Sequence, residues 1–355
     1  MSMKILFLEG DMSRKGGTER MTALLANALA ETNAVTVASL RLEGGEVYYK
    51  LSPDVEHKIL SPVSGRAGII KQIGEIRRLI KEKNADIVIN VDIGMGLYGI
   101  IAAKGTKAKV ITWEHSNFFN NWGSRLFPYL RRFAAKHSDA LVVLTERDRE
   151  NYASGIKSRT PVFAIPNPAE RHEFSYDEDS KTIVSAGTLL PIKGYDRAVE
   201  AGKTVFAAHP DWKWRICGEG PERAKLEAAI KEAVLTENII LCGNIDGIAD
   251  EYRRAAMCVM TSRSEGLPMA LLEAKSFGLP LVSFDIMTGP SDIIRDGVNG
   301  FLIQPDNVAD LAEKICRLIE NNELRKSFSA QSQLDMDKFD FNAIIAKWNE
   351  LFKEA

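Results

Sequence analysis

The stretch of this chain best equipped for chemistry runs Ser264-Glu265-Gly266-Leu267-Pro268-Met269-Ala270-Leu271-Leu272-Glu273-Ala274-Lys275-Ser276-Phe277-Gly278-Leu279-Pro280. Pro268 suits the first helical position and Gly278 the stop, which bounds a helix of about ten residues. Its middle is almost wholly apolar, so the helix is expected to be buried. Glu265 then lies in the loop just before it, beside the amides of Gly266, Leu267 and Met269, while Glu273 lies inside. Carboxylates on a buried element are costly unless they accept hydrogen bonds. A hydroxyl-rich ligand supplies such donors; a helix cap at Glu265 and a core cation beside Glu273 would supply them too.

Two further loops carry glycines between a short apolar run and a helical pattern. Gly187-Thr188-Leu189-Leu190-Pro191-Ile192-Lys193-Gly194 places a lysine at a helix start, where a point charge joins oriented amides and suits a diphosphate. A solvated surface lysine is the alternative. Gly16-Gly17-Thr18-Glu19 opens the first helix and could hold an anion, or form a plain tight turn. Neither it nor Gly218-Glu219-Gly220-Pro221-Glu222-Arg223 completes a dinucleotide fingerprint, and the Lys193 loop is not a P-loop. A nicotinamide dehydrogenase is disfavoured.

Positioning these loops requires a regular alternation. Apolar runs at Lys4–Leu8, Val35–Leu40, Ile87–Val91, Val110–Trp113, Ala140–Leu144 and Val162–Ile165 are separated by helical patterns, among them Thr18–Glu31, Ile70–Lys81 and Leu126–Lys136. Pro166-Asn167-Pro168 and a polar stretch to Ser180 interrupt the rhythm, which restarts at Thr182 and continues through strands ending near Phe284. The pattern predicts an α/β chain of two Rossmann-like, doubly wound parallel-sheet domains. We expect an N-terminal domain over residues 1–167, a second over 168–337, and a tail at 338–355 whose Phe341, Ile344, Ile345, Trp348, Leu351 and Phe352 share helical spacing and need a burial site.

With 355 residues, 45% apolar and 26% charged, the chain is long enough for two cores and too apolar for disorder. The net charge of −2 gives no basic surplus for nucleic acid. That total conceals an asymmetry: 24 Lys and Arg against 17 Asp and Glu in residues 1–167, then 22 against 31. No apolar run reaches the roughly 18 residues of a membrane span. Cys217, Cys242, Cys258 and Cys316 lack zinc spacing and read as free thiols of a reducing compartment. The Asp177/Asp179 and Asp335/Asp337 pairs read as polar linkers, so no metal site is expected.

Taken together, Gly16-Gly17-Thr18-Glu19, Trp113-Glu114-His115-Ser116-Asn117, Gly187 to Gly194, Gly218 to Pro221, Glu265-x7-Glu273 and Thr288-Gly289-Pro290-Ser291-Asp292 to Asn299-Gly300 resemble glycosyltransferase family 4, a retaining, nucleotide-sugar-dependent class with the GT-B fold. The resemblance implies two domains facing across a cleft, the first binding the acceptor and the second the donor, with the tail helix crossing back onto the first. It implies that Glu265 binds donor-sugar hydroxyls and Glu273 the ribose hydroxyls. By the same resemblance, the amides of Gly266, Leu267 and Met269 hold sugar and diphosphate. Lys193 would neutralise the diphosphate, Gly16 and Gly17 approach it, and Thr188, Gly218 and Gly220 complete the donor set. His115 would stand near the reacting sugar. Thr188 departs from the family, where many members carry Arg, so Lys193 and helix amides must carry more charge, or another cation such as Arg263 contributes. No cofactor or metal is implied.

The expected reaction moves a hexose or N-acetylhexosamine from a UDP-sugar to a lipid-linked or polysaccharide acceptor in surface glycan synthesis. A non-catalytic two-domain sugar-binding protein and a sugar-nucleotide epimerase of the same architecture are the alternatives. Lys71, Arg77, Arg78, Lys81 and Lys83 on one helical stretch, and Arg125, Arg131, Arg132 and Lys136 mixed with Phe127, Tyr129 and Phe133 on another, suit an anionic membrane surface. The expected location is cytoplasmic, peripheral on the inner face of the membrane.

Overall fold

A computed structural model describes residues 2–61 and 65–354; the expected tail is therefore followed to Glu354. The chain divides into two compact units, residues 1–167 with 342–355, and residues 168–341.

The first unit holds seven strands, β1 (Lys4–Asp11), β2 (Ala34–Arg41), β3 (Val55–Ile59), β4 (Ile87–Val91), β5 (Lys109–Trp113), β6 (Ala140–Val143) and β7 (Val162–Ala164). All pair in parallel, in the order β3-β2-β1-β4-β5-β6-β7. Parallel strands need crossover segments, supplied by α1 (Gly17–Ala30), α2 (Gly65–Lys83), α3 (Ile93–Ala103), α4 (Phe127–His137) and α5 (Glu146–Gly155). Because side chains alternate along a strand, Leu6 and Leu8 of β1 enter a core cluster with Ile76, Leu79 and Ile80 of α2 and Ala102 of α3. Ile5 and Phe7, equally buried, face the opposite layer. Central strands buried on both faces explain the largely apolar runs.

The α3–β4 packing is close. A Cβ at Gly99 would stand 1.7 Å from Asn90 Oδ1, and Asn90 is fully buried. Gly99→Ala is expected to lower stability by about 1–3 kcal/mol through overpacking, visible as a lower urea midpoint. An unchanged midpoint would show that α3 can shift away.

The second unit holds β8 (Thr182–Ala186), β9 (Lys213–Cys217), β10 (Ile239–Gly243), β11 (Met257–Met260), β12 (Leu281–Phe284) and β13 (Gly300–Ile303), again all parallel, in the order β10-β9-β8-β11-β12-β13. Its helices are α6 (Tyr195–Ala208), α7 (Arg223–Glu232), α8 (Ile248–Arg253), α9 (Met269–Ser276), α10 (Pro290–Ile293), α11 (Val308–Glu320) and α12 (Asn322–Ala330). The last helix, α13 (Phe341–Glu354), is counted from Asn342 with the first unit. There Trp348, almost fully buried, meets Trp113 of β5 edge-on with ring centroids 5.1 Å apart.

Candidate active site

In the second unit the strand order reverses between β8 and β11, and the loops leaving β8, β9 and β11 all project from the carboxyl edge of the sheet. Such a switch point is where open α/β sheets bind ligands. The β11 loop carries Glu265. Its Oε1 accepts from Lys193 Nζ at 2.7 Å and from Ser262 Oγ at 2.6 Å, and its backbone carbonyl accepts from Thr288 Oγ1 at 2.5 Å. The two charged side chains remain reachable, Lys193 27% and Glu265 13% exposed.

Lys193 closes a single 3-10 turn, Pro191–Lys193, and Gly194 follows it in the left-handed region at φ 66°. Glycine is required there twice over, because a Cβ would also stand 2.2 Å from the Thr261 carbonyl. Thr188, in the same loop, is exposed.

α9 begins at Met269, with Pro268 one position ahead of it. Leu271, Leu272 and Ala274 are buried, whereas Met269, Ala270 and Glu273 form the less buried side. Glu273 Oε2 accepts from the Tyr252 hydroxyl at 3.1 Å, a phenol of α8. Burial and the Glu273 charge push the Tyr252 phenol well above its ordinary range, keeping it a donor. Gly266 and Leu267 are buried in the turn before α9. Gly218 and Gly220 have a local reason for being glycine. A Cβ at either would come within 2.5 Å of a carbonyl of the Gly187–Leu189 segment, at 2.1 Å from Gly187 and 2.5 Å from Leu189. The β9 loop is thus packed directly under the loop that carries Lys193.

The first unit collects a different set at its own carboxyl edge. Gly16 precedes α1 in extended conformation, and the Glu19 carboxylate lies 2.2 Å from where its Cβ would be. The start of α1 therefore already faces its own acid, and Gly17 is the first residue of the helix. His115 stacks on Trp113 with centroids 4.1 Å apart, and its Nε2 is buried without a hydrogen-bond partner. Burial pushes the imidazole down to about 3, so the ring is neutral.

Behind His115 the structure places groups that sequence reasoning missed. Glu114, fully buried, accepts from Ser116 and from the Tyr152 hydroxyl at 2.7 Å, and Arg131 Nε stands 3.6 Å away. Asp92 has φ 71° and ψ 155°, a backbone region nearly reserved for glycine and costing about 1–3 kcal/mol. Its carboxyl is raised well above its usual range by burial and by Glu114. Sequence reasoning also missed Lys275, a buried amine of α9 that donates to the Ile293 carbonyl at 2.9 Å and is pushed down to about 8 by burial.

Glu9, at the end of β1, is buried and hydrogen-bonded to Gly10 N and Thr22 Oγ1. Burial, with Glu19 adding repulsion, raises its carboxyl to about 7. The folded chain then holds a proton that the unfolded chain releases near pH 4.5. Stability must fall as pH rises from there to about 7, by up to about 3 kcal/mol, and level off above. Glu9→Gln should flatten that part of the urea-unfolding profile; an unaltered slope would mean that Glu9 is ionised in the fold.

Several basic residues expected at a membrane surface are otherwise engaged. Arg131 is buried on Glu114, Arg77 donates to the Ala102 and Lys104 carbonyls at the end of α3, and Lys83 pairs with Glu56. Lys71, Arg78, Lys81, Arg125, Arg132 and Lys136 are exposed. So are Phe119 (51%), Trp122 (53%), Leu126 (69%) and Tyr129 (73%), mostly in the loop before α4 that composition alone did not single out. Asp335 is paired with Arg295 and Asp337 with Arg171. All four cysteines are free thiols.

Two doubly wound parallel-sheet units are the architecture of the GT-B glycosyltransferases. Residues 167–335 match the family described as Glycosyl transferases group 1, and residues 15–172 match Glycosyltransferase Family 4. This chain belongs to that family and is a glycosyltransferase. It is 28% identical to the Erwinia amylovora amylovoran biosynthesis glycosyltransferase AmsD, over 98% of this chain and 99% of that one. It is 27% identical to a Campylobacter jejuni α-1,4-N-acetyl-D-galactosaminyltransferase named for a diNAcBac-PP-undecaprenol glycan, over 99% of both chains. Among solved structures, Anabaena HepE with UDP and glucose shares the fold, with a TM-score of 0.85 over 99% of this chain and 100% of that one at 17% identity.

Proposed function

We propose that the chain is a retaining, metal-independent glycosyltransferase that moves a hexose or N-acetylhexosamine from a UDP-sugar to a lipid-linked or polysaccharide acceptor in surface glycan synthesis. The observation that carries this reading is the Lys193–Glu265 pair, 2.7 Å apart at the switch point of the second sheet, with Glu273 on the open side of α9. Lys193 stabilises the departing diphosphate, aided by the amides before α9 and by Gly218 and Gly220 beneath. Glu265 orients the donor sugar and Glu273 the ribose. The acceptor hydroxyl attacks from the face the nucleotide leaves and passes its proton to the departing phosphate oxygen, so no enzymic base is assigned. Thr188 offers a hydroxyl to the donor phosphates. His115, being neutral, donates or accepts a hydrogen bond to the transferred sugar, and Gly16 and Gly17 offer backbone amides to the substrates. The UDP seen with HepE supports the nucleotide, and the undecaprenol-linked glycan in the name of the Campylobacter relative supports the acceptor class.

We further assign the first unit to the acceptor and to peripheral contact with the cytoplasmic face of an anionic membrane. No helix among the described residues is long and apolar enough to cross one. Phe119, Trp122, Leu126 and Tyr129 beside Arg125, Arg132 and Lys136 supply apolar insertion with charge attraction.

The test is a panel of radiolabelled nucleotide sugars with a membrane extract as acceptor. One donor should release its nucleotide and leave label in the lipid or polysaccharide fraction. Binding without nucleotide release would make the chain a non-catalytic sugar binder, and an epimerised donor without glycoside would make it an epimerase. Cosedimentation with phosphatidylglycerol vesicles should fall with added salt; binding indifferent to anionic lipid would remove the membrane assignment.

A further inference from the structure

The turn that carries Lys193 is held almost entirely by the segment that leads to Glu265. Its three consecutive carbonyls are taken in order. The Pro191 carbonyl accepts from Arg263 Nη1 at 2.8 Å, that of Ile192 from the Arg263 backbone N–H at 2.7 Å, and that of Lys193 from Thr261 Oγ1 at 3.0 Å. The same guanidinium grips Asp196 in the first turn of α6 with two hydrogen bonds, Nη1 to Oδ1 at 2.8 Å and Nη2 to Oδ2 at 2.5 Å. Arg263 therefore ties three things together: the turn before Lys193, the start of the helix after it, and the strand extension that reaches Glu265 two residues later. Its charge is matched by Asp196, whose carboxyl is held below its usual range chiefly by hydrogen bonding to Arg263.

We propose that Arg263, oriented by Asp196, is a positioning residue for Lys193: it sets where the ammonium stands relative to Glu265 and the donor diphosphate, rather than serving as a substitute phosphate cation for the missing arginine at Thr188. The planar fork matters more than the charge, because only a guanidinium can hold the Pro191 carbonyl and both Asp196 oxygens at once. A lysine would keep the charge and lose the grip.

This inference rests on the reading of Lys193 as the diphosphate cation, and one set of variants separates the two. In steady-state transfer, Arg263→Ala and Arg263→Lys should both lower kcat about 10- to 100-fold, with kcat/KM falling in proportion, as expected for an interaction felt in the transition state. Asp196→Asn, isosteric and half exposed, should fold normally and lower kcat about 5- to 20-fold. The double variant Asp196→Asn/Arg263→Ala should be no worse than Arg263→Ala alone. The competing role as a direct phosphate cation gives opposite signs. Arg263→Lys would then retain most activity, and Asp196→Asn, by releasing a positive charge, would tighten UDP binding. Either result overturns the positioning role. Should Lys193→Ala itself leave transfer intact, the donor-site reading fails first.

Discussion

Lys193→Ala is expected to lower kcat for transfer by about 100- to 1,000-fold, the usual consequence of removing one preorganised donor aimed at developing charge. Under the proposed reading the leaving group is a diphosphate and Thr188 brings it only a hydroxyl, so the developing charge would fall on Lys193 and on amides. UDP affinity should weaken with it. Glu265→Ala should reduce transfer to a similar degree while leaving UDP affinity nearly intact, as expected if Glu265 addresses the sugar. The two side chains hydrogen-bond one another at 2.7 Å. Their effects should not add, and the double variant should resemble the worse single one. If both single variants kept wild-type turnover, the site would lie elsewhere.

Arg131→Met carries the second large effect, this time on stability. Arg131 is 3% exposed and reaches Glu114 at 3.6 Å, and Glu114 is fully buried. Its guanidinium also donates to the Tyr152 hydroxyl at 3.1 Å, Asn121 Oδ1 at 2.9 Å and the Asn117 and Asn120 carbonyls. Removing one partner of such a pair leaves an uncompensated buried charge and costs about 3–5 kcal/mol. The carbonyls it releases belong to the loop that displays Phe119 and Trp122, so vesicle binding should fall as well. Glu114→Gln added to Arg131→Met should recover part of the stability in urea unfolding. A single variant as stable as wild type would mean that Glu114 is held by Ser116 and Tyr152 alone.

The legible parts of this sequence were those governed by local pattern. β6 and β11 are unbroken apolar runs, and β4 and β12 carry one polar residue each, Asn90 and Ser283, because both their faces are covered; all four stood out as such. β3, Val-Glu-His-Lys-Ile, did not, since an edge strand with polar alternation carries little apolar signal. Nor did α3, whose three glycines and apolar surroundings erase helical periodicity. At the site, Glu265 and Glu273 were visible because a proline and a glycine frame them. The Arg263–Asp196 clamp spans 67 residues and the Glu114–Arg131 pair 17, and both depend on which strand ends lie side by side. That is also why Arg131, read from composition, looked like a surface cation.

The central claim is retaining transfer from a nucleotide sugar at the Lys193–Glu265 site. Proton NMR of the purified chain with an α-configured UDP-sugar, a lipid-linked acceptor fraction and a chelator reads it most directly. The account predicts one UDP released per glycoside formed, with an α anomeric proton in the product and no turnover by Lys193→Ala. A β-linked product, a requirement for metal, or an epimerised donor without glycoside would contradict it.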